Sequence, residues 1–123
     1  MNNDEPLPDW IGDVRLITFD CYGTLIDWEK GITRAIGPVL RDAGVKVSDE
    51  QILARYSQIE PRLQAGDFRP YREILTDLML EMGRVYGREI SREDAARLPE
   101  SIKDWPAFGD TAQGLARLGE KYR

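Results

Sequence analysis

The sequence predicts an α/β chain that is mostly helical. Three patterns predict it. Val14-Arg15-Leu16-Ile17-Thr18-Phe19 is an apolar run ending in Asp20 and the glycine-containing turn Tyr22-Gly23-Thr24. Five or six later segments carry apolar residues at helical spacing. Glycine and proline stops separate those segments, with no second long strand pattern among them.

The start, Met1-Asn2-Asn3-Asp4-Glu5-Pro6, is polar and acidic and does not have a signal-peptide pattern; residues 1–12 are expected to be a flexible tail. In the run 14–19, Val14, Leu16, Ile17 and Phe19 leave little polar face, as expected of a strand covered on both sides. Leu25 to Trp28 makes a short flap. A helix then runs from about Glu29 to Ala43, with Ile32, Ile36, Val39 and Leu40 on one face. Pro38 should kink or split it, and Gly44 should stop it.

Ser48-Asp49-Glu50-Gln51 is a capping box. It opens a helix to about Ala65, with Ile52, Tyr56, Ile59 and Leu63 inward and Pro61 disturbing its last turns. Pro70 marks the next start. Tyr71, Ile74, Leu75, Leu78, Met79, Met82, Val85 and Tyr86 follow at near-ideal helical spacing, closed by Gly87. Ser91 opens another helix, limited by Pro99 but resuming to about Lys103. Asp104-Trp105-Pro106 is a turn, and Asp110 can cap a final helix with Leu115 and Leu118 facing inward. Arg69, Arg72 and the group from Arg84 to Arg92 look like solvated helix faces.

One doubly covered strand among helices is physically incomplete. Its backbone groups need neighbours on both sides. Only Val45–Val47 could offer a second strand, and it is too short to build a sheet. The chain is expected to lack its sheet partners.

Bulk properties narrow the function. Among the 123 residues the net charge is −5, with a pI near 4.8, which argues against a nucleic-acid partner. No run approaches the roughly 18 apolar residues that would span a membrane. The single Cys21 excludes an internal disulfide and fits a reducing, cytoplasmic location. The absence of histidine excludes triads and metal sites that use it, and leaves Cys21 without a Cys–His pair.

A carboxylate at the carboxyl end of a buried strand sits where open α/β sheets hold ligands. Asp20 is therefore a candidate nucleophile, metal ligand or base. Hydrogen bonds from the N–H groups of the following turn would keep it ionised. Gly23 would allow a positive φ or close approach of a substrate.

Asp20-Cys21-Tyr22-Gly23-Thr24-Leu25 resembles the first motif of the haloacid dehalogenase superfamily, whose nucleophilic aspartate ends the first strand. Most of that superfamily carries a second aspartate two residues on, as acid/base in phosphate transfer. Tyr22 stands there in this chain, as in the 2-haloacid dehalogenase branch. The resemblance implies a Rossmannoid core with an inserted helical cap. Residues 13–28 would be the first strand, motif and flap, residues 29–106 the cap, and residues 107–123 the returning helix, with the chain ending before the second core strand.

The resemblance also implies a reaction. Asp20 displaces halide from a 2-haloacid, and water hydrolyses the resulting ester to a 2-hydroxy acid. Thr24 would orient Asp20, while Cys21 and Tyr22 would line the substrate. A departing halide needs a cation, worth on the order of 4 kcal/mol at about 4 Å and an effective dielectric near 20, before desolvation. The segment Leu53-Ala54-Arg55-Tyr56-Ser57-Gln58-Ile59-Glu60 resembles the one carrying the family's halide-binding arginine, which points to Arg55. No cofactor is implied; magnesium would enter only in the phosphatase-like alternative. The partner would be the small-molecule substrate, with no nucleic acid or membrane, and a homodimer is possible in the full-length enzyme. The family's later serine or threonine motif, lysine and acidic residues lie beyond Arg123, so little turnover is expected of this chain alone. Two non-catalytic alternatives stand beside this. One is a truncated or partner-binding helical module whose partner supplies the sheet. The other is an all-α binding domain with residues 14–19 as an extended arm.

Overall fold

A computed structural model describes residues 6–123. The chain divides into two units, Asp27–Pro106 and the residues before Asp27 together with Ala107–Arg123. Its described residues are mostly helical, and none falls in an extended sheet. No helix among them is long and apolar enough to cross a membrane.

The unit Asp27–Pro106 holds α1 (Trp28–Asp42), α2 (Asp49–Gln64), α3 (Tyr71–Val85) and α4 (Arg92–Glu100), followed by a 3-10 turn over Ser101–Asp104. α3 lies between α2 and α4, and α1 touches both α2 and α4. The core follows from helical periodicity. Ile32, Ile36, Val39 and Leu40 of α1, Ile52, Tyr56 and Ile59 of α2, Ile74, Leu75, Leu78, Met79 and Met82 of α3, and Ala95 and Leu98 of α4 are all buried.

The helix ends obey local chemistry. Asp27 caps α1 by accepting from the Lys30 N–H at 3.2 Å. After α1, the Gly44 N–H donates to the Arg41 carbonyl and the Val45 N–H to the Leu40 carbonyl, both at 2.9 Å, around a Gly44 φ of +82°. Gly87, at φ +69°, ends α3 by the same pattern. Pro38 and Pro61 neither split α1 nor end α2. The carbonyls they leave without an N–H, those of Arg34 and Ser57, belong to exposed residues, where water can satisfy them.

Three side chains depart from expectation. Trp105, expected in a turn, is buried at 7% exposure, and its Nε1 donates to Ser101 Oγ at 2.9 Å. Arg69, expected on a solvated face, pairs with Asp77 and Glu73; the Asp77 hydrogen bond foremost raises its pKa above the ordinary arginine value. Arg88 is likewise engaged, donating Nε to the Ala43 carbonyl at 2.9 Å.

At the α2 start, Ser48 Oγ accepts from the Gln51 N–H at 3.2 Å, and Gln51 Oε1 accepts from the Ser48 N–H at 2.9 Å. Glu50's carboxyl is held below its ordinary value by its own backbone N–H first and by Ser48 second. Its contribution is complete above the ordinary value of 4.5 and is lost as pH falls through the lowered one. We expect Ser48→Ala to cost about 0.5–2 kcal/mol in denaturant unfolding. It should also move the Glu50 carboxyl titration, followed by NMR, back toward ordinary.

The other unit differs from expectation. Of the flexible tail expected over 1–12, residues 1–5 lie outside the described residues, while Asp9–Asp13 forms a 3-10 turn. Val14–Phe19 does not form the expected doubly covered strand. Leu16 is 67% and Phe19 43% exposed, and the segment makes only one rung of pairing. The Arg123 N–H donates to the Arg15 carbonyl at 3.2 Å, and the Ile17 N–H to the Arg123 carbonyl at 3.1 Å. These bonds straddle Leu16 as in a parallel ladder. A single rung is too little for a strand.

α5 (Thr111–Gly119) follows Asp110, which makes no side-chain cap. Leu115 and Leu118 do not face a core: Leu115 is 38% exposed, and α5 buries none of its residues. They border open grooves with Ile17 and Phe19. Among the described residues of this unit none is buried. The physical reason is that, among the described residues of this unit, no second layer lies against these side chains.

Candidate active site

Asp20 ends the extended segment and is exposed. The chain then turns over Cys21–Ile26. The N–H groups of Thr24, Leu25 and Ile26 all donate to the Cys21 carbonyl, at 3.2, 2.8 and 3.0 Å, and the Gly23 N–H donates to the Ile26 carbonyl at 2.9 Å. Gly23 adopts φ +85°, a conformation that a side chain would strain. The expectation that turn N–H groups bond the Asp20 carboxylate therefore fails for these four donors. Three of them close the turn on the Cys21 carbonyl and the Gly23 N–H closes it on the Ile26 carbonyl. The turn makes the main chain rigid just after the carboxylate and leaves the carboxylate facing solvent.

Cys21, Tyr22 and Thr24 share this turn with Asp20, and all are exposed. Tyr22 also forms an isolated parallel bridge with Ile26. Thr24 lines a groove with Phe19, Leu25, Thr111 and Leu115, so one wall beside the motif is apolar. Arg55 belongs to the helical unit. It is exposed on α2 and donates Nη1 to Gln58 Oε1 at 3.2 Å. Beside it in sequence, Tyr56 is buried, packs against Trp28 with ring centroids 5.6 Å apart and planes tilted by 41°, and shares a 3.2 Å hydroxyl contact with Tyr71. Trp28 and Tyr71 thus both meet α2 inside the helical unit.

Sequence reasoning missed the residues that fasten the turn. Leu25's carbonyl accepts from Thr111 Oγ1 at 2.7 Å and from the Phe108 N–H at 3.2 Å, and Ile26 pairs antiparallel with Ala107. Only the hydroxyl at the start of α5 hinted at this, and it reads first as a helix-terminus residue.

Among the described residues no three His, Cys, Asp or Glu side chains gather as a metal donor set. No protein-family model matches this sequence, and no curated protein matches it.

Proposed function

We propose that Asp20 is the nucleophile of a hydrolase of the haloacid dehalogenase type, acting on carbon in a 2-haloacid. What supports the reading is one arrangement. Asp20 ends an extended apolar segment that makes a parallel rung with Arg123, and it precedes a glycine turn closed on the Cys21 carbonyl. In this reading a carboxylate oxygen of Asp20 attacks the carbon bearing the halogen. The C–O bond forms as the carbon–halogen bond breaks, and halide leaves with the electron pair. Water then cleaves the ester, giving a 2-hydroxy acid, the regenerated carboxylate and a proton released to solvent. Covalent catalysis divides one difficult displacement by water into two easier steps. Tyr22, in place of a second aspartate, leaves no acid for a phosphate leaving group. Cys21 and Tyr22 would line the substrate, Thr24 would orient Asp20, and Arg55 is proposed as the halide's cation from its sequence segment alone.

The test is chloride release from 2-chloropropionate, set against phosphate release from p-nitrophenyl phosphate with magnesium. The reading expects chloride in at least an amount stoichiometric with the chain. Phosphate release with magnesium and no chloride would replace it with the phosphatase reading.

One observation favours a second reading. The unit carrying Asp20 buries none of its described side chains, and Leu16 and Phe19 stay exposed. The chain would then be a non-catalytic helical module whose partner supplies the sheet, and neither chloride nor phosphate would be released.

A further inference from the structure

We infer that Thr111 is a positioning residue for the Asp20 turn, an inference that rests on the proposed function for its catalytic meaning. The geometry is a relay of main-chain groups. Thr111 Oγ1 donates to the Leu25 carbonyl at 2.7 Å, and the Phe108 N–H donates to the same oxygen at 3.2 Å. Together they occupy both lone pairs of that carbonyl. The Leu25 carbonyl shares a rigid peptide plane with the Ile26 N–H. That N–H donates at 3.0 Å to the Cys21 carbonyl, on the residue next to Asp20. Fixing the Leu25 carbonyl therefore helps hold the Cys21 carbonyl, and so restrains the main chain one residue after Asp20.

The hydroxyl has no competing helical task. Asp110 holds the N-cap position of α5 without a side-chain bond, and Thr111 turns its hydroxyl back to Leu25. The contact joins residues 86 apart in sequence, so the start of α5 is tied directly to the motif. In this unit no described side chain is buried. Packing does not hold the turn, and polar contacts carry a correspondingly larger share.

Thr111→Val removes the hydroxyl and keeps the branched shape; Thr111→Ser keeps the hydroxyl. Amide hydrogen exchange is read at Leu25 and Ile26, with Leu78 in the helical unit as reference. Loss of one hydrogen bond should accelerate exchange at Leu25 and Ile26 by about fivefold to tenfold in Thr111→Val. Leu78 should be unchanged, and Thr111→Ser should exchange like the parent. In parallel, formation of the Asp20 ester from 2-chloropropionate should slow in Thr111→Val and recover in Thr111→Ser. Unchanged exchange at Leu25 and Ile26 in Thr111→Val would overturn the inference. So would equal acceleration in both variants, which would mark a packing role. If no chain forms the ester, the dehalogenase reading fails, while exchange still decides whether Thr111 holds the turn.

Discussion

Gly31→Ala is expected to destabilise the chain by about 2–4 kcal/mol, although alanine is the better helix former by about 1 kcal/mol. Gly31 lies in the first turns of α1 and is buried. A Cβ built there would stand 2.3 Å from Trp105 Cγ, 2.5 Å from Cδ1 and 2.8 Å from Cδ2. Carbon atoms do not approach so closely, so the indole must move. It is poorly able to, being buried and held by the bond from Nε1 to Ser101 Oγ. Expelling a buried tryptophan sets a ceiling of about 3–5 kcal/mol, from which the propensity gain is subtracted. Thermal unfolding followed by far-UV circular dichroism measures the loss. Gly31→Ala and Trp105→Leu should be strongly sub-additive when combined, because the smaller side chain removes the clash. A rise in melting temperature for Gly31→Ala would show that helix propensity governs this position and Trp105 does not.

Asp20→Asn is expected to lower ester formation from 2-chloropropionate by at least about a thousandfold, the scale on which loss of a covalent nucleophile is felt. The amide has nearly the shape of the carboxylate but no anionic oxygen to attack carbon. Because Asp20 is exposed, stability should stay within about 0.5 kcal/mol of the parent. Asp27→Asn is the matched control: asparagine caps a helix about as well as aspartate, so α1 and the rate should both be preserved. Equal rates for the parent and Asp20→Asn would remove Asp20 from the chemistry.

The helical unit was largely legible because its rules are local. Ile32, Ile36, Val39 and Leu40 sit at spacings that one helix turn dictates, and all four are buried. Ser48 and Gln51 satisfy each other three residues apart, and Gly44 and Gly87 take the left-handed conformation that ends a helix. The unread parts depend on distant residues. Trp105 lies between Asp104 and Pro106 and has the sequence of a turn; the bare surface at Gly31 makes room for its indole. Thr111 binds a carbonyl far back in the chain, which no local pattern encodes. The segment Val14–Phe19 was misjudged for a related reason. Its composition suits a covered strand, but strand structure needs a paired neighbour, and Arg123 gives it a single rung. The Asp20–Thr24 motif was legible as a turn, since Gly23 at φ +85° is what such a turn requires. The fate of its N–H groups was not, because Cys21's carbonyl competes for them.

Attack on carbon by a carboxylate oxygen of Asp20 would leave a covalent mark on the chain. The most direct measurement is tandem mass spectrometry of the chain after incubation with 2-chloropropionate, locating the added propionate unit. Cys21 makes this demanding, because its exposed thiol is the neighbouring group that haloacids also alkylate. The unit is expected on Asp20 as an ester, released by hydroxylamine and absent from Asp20→Asn. A stable adduct on Cys21, with Asp20 unmodified, would contradict it.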